Sequence, residues 1–381
     1  MNVVPEAQAL IDLAPLGRLL LLAALLALLP LSWVWLRQRQ AGLPQRLAAL
    51  TAVTLFLTFD LIVFGSFTRL SDSGLGCPDW PGCYGELSPF GAREDIHAAQ
   101  SVAPGGPVTW SKAWIEMIHR YLAMTVGALI LVMTAVAWKA RRQLPFSPWW
   151  PTLTLFWVLV QGAFGKYTVT LKLYPAVVTL HLLGGLLLLV LLARQHVAFN
   201  PRPLALPASV RNLAWLGAAA LAVQVALGGW VSTNYAVLAC TGFPTCNGQW
   251  WPAMDVAQGF TLLRGLGEGT VHGPLRLEAL VAIHMAHRLF ALVLVGVLSL
   301  LAWKLWATGT PAPKRFAVGL VALLTAQLLS GLSNVVLGWP LVAALAHSAG
   351  AAALVLMLSL LLARSTQART QVLPGLQASP A

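Results

Sequence analysis

The chain has 381 residues, of which 58% are hydrophobic and only 9% are charged. Soluble domains carry about 25% charged residues, so this composition excludes an ordinary soluble domain and indicates a membrane protein. The net charge of +12 does not indicate nucleic-acid binding, because the basic residues cluster in the short segments between apolar stretches.

Apolar stretches of about 20 residues, the length that crosses a bilayer as a helix, recur along the chain. The predicted spans are 16–36, 48–68, 117–138, 151–170, 176–194, 212–232, 280–304, 316–337 and 341–363. The sequence therefore predicts an all-α polytopic membrane protein in contact with membrane lipid.

The basic residues predict how these nine spans are oriented. All five basic clusters fall on the same side, which the positive-inside rule assigns to the cytoplasm. They are Arg37, Arg39 and Arg46; Lys139, Arg141 and Arg142; Arg194, Arg202 and Arg211; Lys304, Lys314 and Arg315; and Arg364 and Arg369. We expect a cytoplasmic carboxyl terminus and outward-facing connections at 69–116 and 233–279. The acidic start argues against a mitochondrial transit peptide and favours a bacterial inner membrane.

Motifs in the two halves of the chain repeat at a nearly constant shift. Cys240 and Cys246 follow Cys77 and Cys83 by 163 residues, and histidines described below repeat at 166 and 168. We predict two tandem four-helix-bundle repeats preceded by one extra amino-terminal transmembrane helix. The segments are 1–47 (extra helix and cytoplasmic linker), 48–196 (first half), 197–365 (second half) and 366–381 (cytoplasmic tail).

All four cysteines lie in the two outward connections, two in each and with the same spacing. On an oxidising face this pattern favours the disulfides Cys77–Cys83 and Cys240–Cys246, with free thiols as the alternative. Zinc binding is disfavoured, because neither pair has zinc-knuckle spacing and no histidine completes a set.

Four histidines lie near the outer ends of predicted spans, at matched places in the two halves. They are His119 and His181 in the first half and His287 and His347 in the second. Two helix-borne histidines per half predict two sites, each able to hold a metal or a haem iron from opposite sides. The chain has no Cys-x-x-Cys-His motif, so any haem would be bound non-covalently. For each histidine the alternative is an interhelical hydrogen bond.

Glu116 precedes His119 by three residues, so the two share a helix face, whereas the second half has His284 at that place. A carboxylate there could stabilise positive charge or take a proton beside a bound macrocycle. The alternative is an interfacial glutamate that faces water or pairs with Arg120. Arg120 and Arg288 follow the first histidine of each pair and could meet the propionates of the first and second haem.

Several of these motifs together resemble the haem A synthase family. They are residues 65–70 (GSFTRL), 73–81 (SGLGCPDWP), 116–120 (EMIHR), 179–181 (TLH) and 287–288 (HR), followed by His347. The resemblance covers positions 48–363 and leaves out the first helix and the tail.

The resemblance implies an oxidoreductase acting on CH groups. It would oxidise the C8 methyl of haem O to a formyl group by successive hydroxylations, giving haem A for terminal oxidase assembly. Glu116, His119 and His181 would form the haem O site, with Glu116 stabilising the developing cation or deprotonating the attacking water. The cofactor would be haem b, held between His287 and His347. The implied partners are haem O synthase, oxidase assembly factors and an unknown electron acceptor.

Other functions use the same features. A b-type cytochrome, whether an electron carrier or a quinol-linked redox protein, would need both histidine pairs but not Glu116. A haem carrier would bind haem without oxidising it. In a transporter, the histidines would be proton relays and bind no haem.

Overall fold

The computed structural model describes residues 14–263 and 275–376. These residues form α1 (Ala14–Arg37), α2 (Leu43–Leu70), α3 (Arg93–Val102), α4 (Trp110–Lys139), α5 (Trp149–Thr170), α6 (Pro175–Phe199), α7 (Ala208–Thr233), α8 (Val256–Gly259), α9 (Leu277–Ala307), α10 (Pro311–Val336) and α11 (Leu341–Leu376). The predicted first segment and tail extend into 1–13 and 377–381, which lie outside the described residues.

Eight of the described helices are long and apolar enough to cross a membrane, which confirms the all-α polytopic class. They are α1, α2, α4, α6, α7, α9, α10 and α11. The predicted span 151–170 forms α5, which is not among these eight and carries the polar residues Gln161 and Lys166. The count of nine spans, and the orientation that depends on it, stays a prediction.

Four of the long helices begin at start signals that lie outside the predicted apolar stretches. Proline occupies the first turn of α2, α6 and α10, where it needs no intrahelical hydrogen bond. In α4 the Thr109 side chain caps the helix by accepting from the Lys112 backbone N–H at 3.3 Å. This cap starts α4 at Trp110, two turns before the predicted span. The added turns carry Glu116 within the helix.

The helices pack as two groups of four. In the first group α2 and α5 each contact α4 and α6, and in the second α7 and α10 each contact α9 and α11. Among the described residues α4 makes no close backbone contact with α6, and α9 makes none with α11. These pairs therefore stand diagonally across their groups. We call the space between the two backbones of each pair, into which side chains project, the diagonal gap. The division of the chain at 196/197 stays a prediction.

The two groups meet along α6, which contacts α7 and α11, and along α2, which contacts α11. At the end of this contact where α2 and α7 end, Arg69 Nη2 donates to the Ser232 carbonyl at 2.6 Å, and the Tyr235 hydroxyl donates to Asp72 at 3.1 Å. The extra helix α1 packs on α2 and α4, where Ala27 is buried. Thus α1 lies outside both diagonal gaps.

Candidate functional site: two histidine pairs beneath disulfide loops

Both predicted disulfides are present, Cys77–Cys83 and Cys240–Cys246. All four cysteines are buried. Each bond closes a short loop in the connection that follows α2 or α7. We call these segments, residues 77–83 and 240–246, the disulfide loops.

The first disulfide loop is fixed to α4 by Arg120 and Glu116, both buried. Arg120 Nη1 donates to the backbone carbonyls of Asp79 at 3.0 Å, Pro81 at 3.2 Å and Gly82. Its Nη2 forms an ion pair with Glu116 Oε1. These terminal nitrogens therefore face the loop and the carboxylate. A contact between Arg120 and a haem propionate stays a prediction.

Glu116 has a hydrogen-bond partner on each carboxylate oxygen. Oε2 accepts from the Cys77 backbone N–H at 2.8 Å, and Oε1 accepts from Arg120. The side chain is only 3% exposed, so it does not face water as the interfacial alternative requires. Its pairing with Arg120, the other part of that alternative, is present. The buried carboxylate is thus held in place one turn from His119.

The second disulfide loop is fixed by Arg288 in the same manner. Arg288 donates to the backbone carbonyls of Cys240, Gly242 and Thr245, each at 3.2 Å. Here the partner of the arginine is His284, whose Nε2 accepts from Arg288 Nε at 3.2 Å. A neutral imidazole therefore takes the structural place that the Glu116 carboxylate holds in the first half.

His287 of α9 and His347 of α11 face each other across the diagonal gap of the second group. Their ring centroids are 6.4 Å apart and the ring planes are inclined by 76°. Two metal–nitrogen bonds of about 2 Å, each continued by about 1 Å to the ring centre, would separate the centroids by about 6 Å. The spacing therefore fits one iron held between the two imidazoles.

Polar side chains from the neighbouring helices contact these two rings. Gln224 Nε2 of α7 lies 3.1 Å from His287 Nδ1 and 3.4 Å from its Nε2, and also donates to the His287 carbonyl at 3.2 Å. On α10, Ser330 Oγ lies 3.0 Å from His347 Nδ1, and Gln327 donates to the His347 carbonyl at 3.0 Å. Such contacts restrict the orientation of a ligating imidazole.

His119 of α4 and His181 of α6 belong to the diagonal helices of the first group. The Nδ1 atoms of both rings are buried and have no hydrogen-bond partner among the described residues. Phe64 of α2 stacks near His119, with centroids 6.5 Å apart and planes within 10°. Buried imidazole nitrogens without partners fit a site whose ligand supplies the missing interaction.

Small and polar residues around the histidines were missed in the sequence. Gln224 and Ser330 were not assigned, and neither were Gly65, Gly228 and Gly331, which pack against histidine rings. The signal was partly visible, because Gly228 follows Gly65 by the same 163 residues as the cysteines. Among the described residues no group of three or more His, Cys, Asp or Glu side chains could hold a metal.

Comparison with known proteins identifies relatives over most of the chain. A family model, COX15-CtaA, described as cytochrome oxidase assembly protein, matches residues 48–359. A protein of Shewanella oneidensis named Heme A synthase is 42% identical over 82% of this chain and 94% of its own length. A Rhizorhabdus wittichii protein of the same name is 28% identical over 84% of this chain and 93% of its length. A third protein named Heme A synthase, from Shouchella clausii, is 27% identical over 55% of this chain and 65% of its own length.

Proposed function

The chain belongs to the COX15-CtaA family of cytochrome oxidase assembly proteins, and from this premise we propose that it makes haem A from haem O. It is a multi-pass membrane protein and an oxidoreductase. The proposal extends to the reaction class, oxidation of the CH groups of the C8 methyl to a formyl group. With water as the oxygen source, this conversion releases four electrons and four protons, so an electron acceptor is required.

The observation that carries the assignment of sites is the spacing of His287 and His347. Their 6.4 Å centroid separation across a diagonal gap fits an iron that both imidazoles would hold. We assign haem b to this pair, with Gln224 and Ser330 orienting the ligands. A haem held in this way supplies one-electron transfer when bound.

We assign the substrate haem O to His119 and His181 in the first half. Their buried Nδ1 atoms have no partner among the described side chains and backbone groups. Glu116 lies one turn from His119 and carries a charge that Arg120 and the Cys77 N–H stabilise. A carboxylate held in this way can stabilise positive charge at the methyl being oxidised, or accept a proton from the attacking water.

The same proposal covers the domains and the location. Residues 48–196 form the substrate half and 197–365 the cofactor half, in a bacterial inner membrane with the haems toward the outer face. Haem O synthase and oxidase assembly factors are the proposed partners. The relatives named Heme A synthase come from bacteria, which supports the choice of membrane.

The product of the protein tests this function. We expect that purified protein from cells supplied with a haem O source contains haem A, detected by extraction and mass measurement. His119→Ala should abolish the formyl product and keep the reduced-minus-oxidised spectrum of haem b. Recovery of unmodified haem O from the wild-type protein, with that spectrum intact, would instead indicate a cytochrome or a haem carrier.

A further inference from the structure

Each of the four histidine rings packs against a glycine on a neighbouring helix. In every case the glycine Cα faces the Cε1 atom of the imidazole, so a methyl group on that Cα would point at the ring. The distance from such a methyl to Cε1 would be 2.8 Å for Gly65 and His119, 3.1 Å for Gly228 and His287, 3.2 Å for Gly331 and His347, and 3.6 Å for Gly165 and His181.

The glycines contact the same edge of the ring in the three tight cases. From the methyl position at Gly228, His287 Nδ1 would be 3.6 Å away and Nε2 3.9 Å. At Gly331 the corresponding distances to His347 are 3.6 and 4.0 Å, and at Gly65 those to His119 are 3.5 and 3.6 Å. Nε2 is the nitrogen turned further from the glycine at Gly228 and Gly331, whereas at Gly65 the two nitrogens are almost equally distant. The contact therefore fixes how the ring is rotated about its Cβ–Cγ bond.

Alanine is more favourable than glycine in a helix interior, so the neighbours of a helical glycine show whether close packing accounts for it. Two other glycines of the histidine-bearing helices supply the contrast. Gly127 in α4 and Gly296 in α9 have nothing within 4 Å of an added methyl. The glycines that face the histidines come instead from α2, α5, α7 and α10, which flank the diagonal gaps.

We propose that Gly65, Gly228 and Gly331 are positioning residues that set the rotation of the axial imidazoles. The inference rests on the proposed haem ligation by these histidines. An axial imidazole that is forced to turn alters the ligand field at the iron, so a methyl group on these glycines should change the electronic properties of the haem. Gly165 has ordinary van der Waals room and should tolerate alanine.

The experiment compares single alanine variants of the full-length protein in detergent. Gly228→Ala and Gly331→Ala are tested against Gly296→Ala, which adds the same methyl to α9 in open space. We expect both site variants to shift the largest g value of the low-spin haem signal and the midpoint potential. Haem retention should also fall, by about tenfold, as for loss of a residue that orients a metal ligand. Gly296→Ala should match the wild type in all three measurements.

The first half provides a graded comparison. Gly65→Ala should weaken haem O binding and haem A formation by about tenfold, whereas Gly165→Ala and Gly127→Ala should leave both unchanged. Unchanged g values and potential in both second-half site variants would overturn the proposal. Equal effects of Gly65→Ala and Gly165→Ala would also overturn it. A wild-type protein without a low-spin haem signal would instead refute the proposed function.

A double variant covers the case in which a site variant fails to accumulate. Removing the ring in Gly228→Ala/His287→Ala should restore accumulation to the level of His287→Ala alone, because the clash partner is gone. Continued failure of the double variant would show that Gly228 is needed for another packing reason and would reject its positioning role.

Discussion

The two histidine pairs differ in how their imidazoles are held. In the second half, Gln224 and Ser330 contact the Nδ1 atoms of His287 and His347. The residues at the same shifts in the first half are Leu61 and Phe164, which cannot form these hydrogen bonds. Accordingly the Nδ1 atoms of the first pair have no partner among the described residues. We infer a preorganised site for a resident cofactor and an adaptable site for a haem that enters and leaves.

The arginines at the disulfide loops, in contrast, have the same role in both halves. Arg120 and Arg288 each donate to several carbonyls of a disulfide loop. The difference lies in the partner one turn earlier, Glu116 in the first half and His284 in the second. Since an imidazole suffices beside Arg288, loop attachment alone does not require a carboxylate. The carboxylate of the first half therefore points to chemistry.

The largest expected effect tests which pair holds the resident haem. His287→Ala or His347→Ala should remove the low-spin b-type signal from purified protein, because one axial ligand is lost. His119→Ala should keep that signal and lose haem A formation. The exposed His97 of α3, whose ring stacks on Trp110, provides the control, and His97→Ala should change neither property. A full haem complement in both second-half variants would contradict the assignment of the resident haem to His287 and His347.

Glu116 is tested by giving the first half the partner that the second half uses. Glu116→Gln should lower haem O conversion about 10²–10³-fold, as for loss of one charge-stabilising group, and leave the second-half haem in place. Glutamine also places an amide NH₂ against the Cys77 N–H or Arg120, so it disturbs the loop contact. Glu116→His imitates His284, which accepts from Arg288. This variant should keep a hydrogen bond to Arg120 and remain inactive. A histidine variant that forms haem A at wild-type rates would reduce Glu116 to a loop contact.

A smaller effect is expected from exchanging the residues that contact the imidazoles. Gln224→Leu and Ser330→Ala should each lower haem b affinity about 10–100-fold, the usual effect of removing such a partner. In the reverse direction, Leu61→Gln should supply His119 with a hydrogen-bond partner and slow the release of haem from the first site. Haem transfer to an apo-acceptor measures both affinity and release. Unchanged affinity in both second-half variants would contradict the preorganised site.

The disulfide loops give the smallest expected effect. Replacing either cysteine pair by serine should lower stability by about 2 kcal/mol, the estimate for closing a short loop. We expect the Cys77–Cys83 replacement to reduce haem A formation more than the Cys240–Cys246 replacement, because the Cys77 N–H contacts Glu116. Thermal unfolding and product analysis of the two double variants provide the comparison. A larger loss of product on replacing the second pair would contradict this ranking.

Much of this protein is determined by its sequence, because bilayer-crossing helices leave a long apolar signal that needs no tertiary information. The polytopic fold was predicted from such stretches, and the disulfides from the spacing of four cysteines on one face. The span predicted at 151–170 forms α5 but is not among the eight membrane-spanning candidates, so the ninth span stays a prediction. The family resemblance could also be found from the sequence, because most of its motifs are runs of adjacent residues.

The tertiary structure alone decided what each site residue contacts. Sequence spacing placed Glu116 and Arg120 one turn apart, but it did not show that the arginine donates to the Asp79 and Pro81 carbonyls of a distant loop. Nor did it show that Gln224 lies beside His287, 63 residues away. The physical reason is that the periodicity of one helix determines which residues share a face. Which residues of another helix meet that face depends on how the helices pack across the diagonal gap.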